Sequence, residues 1–279
     1  KEEIQKTLGL VASLAGGLSK NFGTMTKPLH AGTAAANGVK AALLVEKGWT
    51  ADPYILDRAS GFYSAFSGGF ECFPEKIEPL LGDPFDMVSP GIIVKKYPSC
   101  AFTHPAIDAV LELTADISVP AGDIEQIVIG INETASKILA YHRATTDLEA
   151  KFSIEYCVAS ALLHRSCGLA HFTVENVLRD DVQRMIQKVS RVLIPTVPGI
   201  ENIFGPSEVF IKCKNGKQYK KRVEIAKGDP RKPFSDEEVF DKYKDCLSRL
   251  YDNRIVEESY RIIRGMHSLA HIGDLLKLF

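Results

Sequence analysis

Ser89-Pro90-Gly91-Ile92-Ile93-Val94-Lys95-Lys96-Tyr97-Pro98-Ser99-Cys100-Ala101-Phe102-Thr103-His104-Pro105 is the stretch where the chain changes character. Ahead of it, apolar residues recur at helical spacing; beyond it, short β-branched runs alternate with helical segments. Ile92-Ile93-Val94 reads as a strand. Thr103 is a candidate N-cap, with Pro105 just inside a helix that continues to about Thr114.

Toward the N-terminus, Ile4, Leu8, Leu10 and Val11 predict one helix, and the run GTAAANGVKAALLVE at 32–46 predicts another. The small residues of that run let a neighbouring helix approach closely, and Gly48 is a natural stop. Asp52-Pro53 opens a further helical piece, and Ser67-Gly68-Gly69 ends one. Toward the C-terminus, Ile127-Val128-Ile129 is a second strand, and the capping box Thr146–Glu149 introduces a helix over 152–163. Val209-Phe210-Ile211, Asn215-Gly216 and the run 219–225 form a hairpin signal, with Asn-Gly suited to a type I′ turn. Ser235 and Glu238 make another capping box, followed by helices over about 254–264 and 269–279. The order is helical, then mixed, then helical. It predicts an α+β chain in which a mainly helical domain, 1–90 and 231–279, is interrupted by an α+β domain at 91–230.

The 279 residues are 45% hydrophobic and 25% charged, enough apolar material for a real core. A formal net charge of −1 supplies no global field for nucleic acid or anionic membrane. No run approaches the ~18 apolar residues of a membrane span. The start, Lys1-Glu2-Glu3-Ile4-Gln5-Lys6, carries no signal-peptide core and reads as the solvated face of a helix already under way. The six cysteines form no CxxC pair, which favours reduced thiols and a cytoplasmic location over a zinc or iron–sulfur site.

No nucleotide-binding glycine motif, GxSxG or HExxH occurs. Of the seven histidines, His267 and His271 are spaced i,i+4 but lack a third ligand, so a solvated helix face is expected there rather than a metal. Two segments concentrate chemistry. The first, GTMTKPLHAG at 23–32, is a polar loop placing Thr26, Lys27 and His30 ahead of a helix N-terminus. Free N–H groups and the helix dipole there add to a lysine charge and suit an anion. The second, 95–105, delivers Lys95 and Lys96 to a Pro-containing turn, followed by Cys100 and His104. Spacing alone leaves both open to a bland reading: solvated lysines, and histidines that pack or cap.

Taken together, GTMTKPLHAGTAAANGVKAALL at 23–44, KKYPSCAFTHPAIDAVLEL at 95–113 and EAKFSIEYCVASALL at 149–163 closely resemble the MmgE/PrpD family. A weaker match is GDPRKPFSDEEVFDKYKDC at 228–246. The family includes 2-methylcitrate dehydratase, cis-aconitate decarboxylase and iminodisuccinate epimerase. The resemblance implies a helical domain with an α+β lid, a homodimer, no cofactor or metal, and a small polycarboxylate as substrate. Lys27 and Lys95 match the family's active-site lysines and are expected to grip substrate carboxylates. Tyr141 lies in the region of a catalytic lid tyrosine. Thr26, His30, Cys100 and His104 are expected around the substrate, although Cys100 stands where the decarboxylase branch carries a histidine.

The family also has an N-terminal helical stretch with a catalytic histidine, and this part is expected to be lacking from the chain. A partner chain would then supply it, or the chain would be a non-catalytic fragment or subunit. Dehydration of a 2-methylcitrate-like hydroxy acid is the expected reaction, with decarboxylation or epimerisation of a related acid as the alternative.

Overall fold

The computed structural model describes residues 1–57, 60–116, 119–195 and 204–279. They gather into two units, Lys1–Gly91 and Ile92–Phe279.

In the first unit, helix α1 (Glu2–Ala12) packs against the long helix α2 (Thr26–Glu46), and a short α3 (Phe62–Phe66) follows. The helix starts earlier than the sequence predicts. The loop expected over 23–32 ends at Met25, so Lys27, Pro28 and His30 all lie in the opening turns of α2. Proline is tolerated there because first-turn N–H groups have no intrahelical acceptor to lose. At the other end Gly48 N and Trp49 N donate to Val45 O and Leu44 O and close the helix at the expected stop. Only Ala41 and Val45 of α2 are buried, whereas Leu29, Val39 and Leu43 are exposed.

The second unit opens with α4 (His104–Asp116), β1 (Ile124–Ile131), α5 (Glu133–Ile138), α6 (Asp147–Ala150), α7 (Ile154–His164), α8 (Val174–Val177) and α9 (Asp180–Ile186). It continues with β2 (Val189–Leu193), β3 (Ser207–Cys213), β4 (Gln218–Val223), α10 (Asp236–Leu247), α11 (Asn253–Arg264) and α12 (Gly273–Leu276). The four strands order as β2-β1-β3-β4. β2 runs parallel to β1, with Ile127 beside Val189, and the helices α5 to α9 form the long crossover that parallel pairing requires. β3 and β4 add antiparallel, with Val128 beside Phe210 and Ile211 beside Tyr219.

Strand periodicity puts Ile127, Ile129 and Ile131 on the buried side together with Val209, Ile211 and Cys213. Helix α4 lies against β3 and β4, α7 against β2, and the two helices against each other. Ile107, Val110, Ile154 and Val158 join the same core. Each fully buried aliphatic side chain of this kind is worth about 1.5–3 kcal/mol. The residues 231–279, which the sequence groups with 1–90, make contacts within the second unit: Leu169 N donates to Asp245 Oδ2 at 3.2 Å, and Lys227 pairs with Glu238 at 2.8 Å.

Helices before and after a small mixed sheet make the α+β architecture expected from the sequence. Several local expectations are corrected. Ile92–Val94 is not a strand: Val94 N donates to Gly228 O at 2.9 Å, and no ladder forms there among the described residues. The hairpin forms, but its turn is not type I′, since Asn215 does not adopt positive φ. Instead Gly216 N donates to Cys213 O and Gly216 itself turns left-handed at φ +81, the pattern of a longer loop closed by a bulge. Thr103 does not cap α4; its hydroxyl bonds Cys100 O and Ser99 Oγ within a 3-10 turn that leads into the helix. Thr146 caps the short α6, and Ser153 caps α7. The helix expected over 269–279 is reduced to α12, and His267 and His271 lie outside it.

Candidate active site

The two lysine segments fall in different units, and each has its own local construction. On α2, Thr26 and His30 are one turn apart, with Lys27 between them on the first turn. Thr26 N donates to Thr24 Oγ1 at 3.2 Å, and Lys27 N donates to Thr24 O at 3.3 Å, so Thr24 ties down the approach to the helix. The Lys27 ammonium sits 4.7 Å from the centroid of the Phe22 ring. Such a cation–π contact is worth about 0.5–1 kcal/mol at a partly exposed site and restrains the side chain. His30 is half-buried, and its ring lines an apolar cavity of about 490 Å³ with Leu8, Val11, Leu29, Asn37 and Phe62.

In the second unit the Lys95–His104 turn is braced from several sides. Tyr97 is buried and its hydroxyl donates to Asp108 Oδ1 at 2.6 Å, while the backbone N–H of Lys227 donates to Asp108 Oδ2 at 2.7 Å. One buried carboxylate thereby locks the turn to the 226–229 segment; hydrogen bonds to a charged group are worth about 1.5–3 kcal/mol each. Burial, then the Asp108 charge, push the Tyr97 pKa far up, so the phenol remains a neutral donor. Gly228 is required beside it. Its φ is +95°, and a Cβ there would meet Val94 O at 2.0 Å. Lys95 Nζ donates to Ser99 O at 3.3 Å, and Cys100 N donates to Lys151 O at 2.8 Å. Cys100 is half-buried, whereas His104 is only 4% exposed.

Tyr141 lies half-buried in the segment between α5 and α6. Both its flanks are anchored to one buried ion pair. Arg191 on β2 grips Glu155 on α7 in bidentate fashion, Nε to Oε1 at 2.6 Å and Nη2 to Oε2 at 2.5 Å. Arg191 Nη1 also donates to Leu139 O at 2.6 Å, and His142 Nδ1 lies 2.9 Å from Glu155 Oε1. The backbone on one side of Tyr141 and the side chain on the other are therefore held by the same pair.

The structure thus gathers Thr26, Lys27 and His30 in one group and Lys95, Cys100 and His104 in another, with Tyr141 in a third place within the second unit. Sequence reading missed the supports: Asp108, Ser99, Glu155 and Arg191. Asp108 had a signal, an acid set between the apolar residues Ile107 and Val110 of α4. Arg191 had none, because its strand VSRVL is too short and mixed to declare itself. Among the described residues, no group of three or more His, Cys, Asp or Glu is placed to hold a metal ion, and no helix is long and apolar enough to cross a membrane.

A helical and mixed-sheet chain carrying one cation on a helix start and another on a braced turn defines the class. The chain belongs to the MmgE/PrpD family: residues 97–267 match the MmgE/PrpD C-terminal domain and residues 1–74 the MmgE/PrpD N-terminal domain. It is 27% identical to the cis-aconitate decarboxylase of Mus musculus over 98% of its own length and 56% of that protein. Against the cis-aconitate decarboxylase of Homo sapiens the identity is 24%, over 98% of the chain and 57% of the relative. Against that of Aspergillus terreus it is 24%, over 99% and 59%. The chain spans just over half the length of these curated relatives. The match over 1–74 corrects the expectation that the family's N-terminal part is lacking, since α1, α2 and α3 represent that domain.

Proposed function

We propose that the protein decarboxylates an unsaturated tricarboxylate of the cis-aconitate type, using side-chain chemistry alone. The observation that carries this reading is the similarity of nearly the whole chain to cis-aconitate decarboxylases, from mammals and a fungus alike. On that ground decarboxylation, the alternative in the sequence reading, replaces dehydration of a 2-methylcitrate-like acid as the first choice.

Lys27 and Lys95 each hold one carboxylate and fix the substrate for reaction. The bond from the carboxymethyl carbon to its carboxylate breaks and releases CO2. Its electron pair becomes a new terminal double bond, and the pair of the old double bond moves to the carbon beside the remote carboxylate. That carbon takes up one proton, so a trianion plus a proton gives a dianion plus CO2. Charge building on the remote carboxylate is what a fixed lysine stabilises. Tyr141 acts at the proton-transfer step, with Thr26, His30 and Cys100 around the substrate. In this reading the working unit is a homodimer. The exposed apolar residues of α2, Leu29, Val39 and Leu43, favour such an assembly, because exposed apolar patches of this kind usually mark an interface.

The test is incubation with cis-aconitate and, separately, 2-methylcitrate, followed by proton NMR and CO2 release. Two terminal-methylene signals with equimolar CO2 from cis-aconitate are expected, and Lys27→Ala or Lys95→Ala should abolish them. Loss of water from 2-methylcitrate without CO2 would return the reading to a dehydratase.

A further inference from the structure

Two histidines outside the lysine groups are stacked on one another. His164 ends α7 and His171 lies in the turn that follows; both are half-buried, and their rings are 4.5 Å apart between centroids and 15° from parallel. A charged imidazole carries an N–H on both nitrogens, and neither ring has room for the second one. His171 Nδ1 accepts the Gly168 N–H at 3.1 Å, so a proton there would face a donor. His164 Nε2 is buried without a hydrogen-bond partner among the described residues, so a charged His164 would strand an N–H. The turn is also a junction. His171 O accepts from the Tyr156 hydroxyl of α7, Asn176 Nδ2 of α8 donates to Ala170 O at 2.8 Å, and Leu169 N donates to Asp245 Oδ2 of α10 at 3.2 Å.

We propose that the His164–His171 stack is an acid-opened latch: while His171 is neutral it closes the 165–172 turn onto α7, α8 and α10, and a proton on His171 opens it. The proton goes to His171 because its Nδ1 takes the bond that closes the turn, while His164 supplies the flat neutral wall it stacks on. The charged and titratable groups around the stack are Arg179 and Asp181 at the start of α9, Asp245 on α10 and Tyr156 on α7. Burial, then Arg179, lower the His164 pKa, and burial, then the His164 charge, lower that of His171; the carboxylates of Asp181 and Asp245 oppose this without reversing it. The sign follows. The open turn takes up a proton at the ordinary imidazole value of about 6.5 and the closed turn does not, so closure is favoured above that value and is lost progressively below it. Between about pH 7.5 and about pH 5.5, one such proton shifts the opening equilibrium about tenfold. The latch is independent of the reaction proposed for the lysines.

The experiment is native-state amide hydrogen exchange on the full protein at the two pH values, corrected for the intrinsic rate at each. The amides of Gly168 and Leu169 donate the bonds that the latch closes, and the Ile127 amide, bonded to Lys188 O in the sheet, is the control for global opening. Acidification should lower protection at Gly168 and Leu169 by at least about tenfold and at Ile127 by less than about twofold. His171→Asn keeps an oxygen that can accept the Gly168 N–H but cannot charge, so its protection at Gly168 and Leu169 should change less than about twofold. His171→Gln, equally unable to charge, carries the test should the asparagine variant not fold. Three outcomes overturn the latch: protection at Gly168 and Leu169 that ignores pH, a fall at Ile127 as large as theirs, or an undiminished response once His171 is replaced.

Discussion

Replacing Arg191 by Met tests whether the buried Glu155–Arg191 pair supports both the fold and Tyr141. Glu155 and Arg191 side chains are 4% and 8% exposed, so neither charge can turn to water when its partner is removed. Arg191→Met fills the volume but leaves a buried carboxylate whose remaining side-chain neighbour at hydrogen-bond distance, among the described residues, is His142, itself 74% exposed. Breaking one side of such a pair costs about 3–5 kcal/mol. For a unit of this size, about 1 kcal/mol moves the midpoint by 2–4 °C, which predicts a fall of about 10 °C in thermal unfolding. Leu139 O loses its donor as well, so one of the two anchors beside Tyr141 is released.

The double variant Glu155→Leu/Arg191→Met separates the two consequences. Removing both charges relieves the stranded carboxylate, so about half or more of the lost stability should return. The backbone before Tyr141 and the side chain after it, however, stay released, because Leu139 O and His142 both lose the partners they have in the parent. Stability should recover while turnover of cis-aconitate stays at least about tenfold below the parent. Differential scanning calorimetry and a CO2-release assay on the same preparations decide it. Unfolding of the single variant within about 1 kcal/mol of the parent refutes the argument about the pair, and full activity in the double variant refutes its link to Tyr141.

Three further outcomes follow from the same geometry. The His104 pKa is lowered from 6.5 to about 3, so its neutral form favours the fold; stability is full above pH 6.5, declines as pH falls from 6.5, where the unfolded chain takes up the proton, and levels off near 3. By pH 5 the decline from this group is about 2 kcal/mol, and His104→Asn should flatten the urea-derived stability curve between pH 7 and 5. Gly228→Ala, forced into positive φ against Val94 O, should cost at least about 2 kcal/mol and weaken binding of tricarballylate, an unreactive tricarboxylate, by displacing the Lys95 segment. Ser235→Ala removes the acceptor for Glu238 N and should cost about 1 kcal/mol in thermal stability without changing substrate affinity.

Local chemistry was legible in the sequence and long-range chemistry was not. Ser235 with Glu238 declared its capping box, and the structure makes both of its reciprocal bonds. Val209–Ile211 declared a strand as a short apolar run ahead of an Asn-Gly turn, and the structure gives it the alternating burial of a sheet with one buried face. The I′ turn failed for an equally local reason: Asn-Gly fits several loops, and the choice between them lies in the pairing register of β3 with β4. Ile92–Val94 failed because β-branching reports extended backbone, and extended backbone becomes a strand only where a neighbour offers a ladder. Gly228 offers one bond and then turns away.

The same distinction separates the lysines from their supports. Lys27 and Lys95 stood out because each sits in a short segment with its own turn residues. Glu155 and Arg191, which hold the flanks of Tyr141, are 36 residues apart. Asp108 and the Lys227 amide, which lock the Lys95 turn, are separated by 119. No window of sequence contains either pair, and nothing in the residue types distinguishes Arg191 from a solvated arginine on an edge strand. Burial makes the difference: a carboxylate taken out of water must be answered, and the fold answers Glu155 with a guanidinium and Asp108 with a phenol and an amide. These answers fix the backbone around the very side chains that meet the substrate in the proposed reaction. Substitutions at Arg191 and Asp108 should therefore change activity by moving Tyr141 and Lys95, even though neither residue is proposed to touch the substrate.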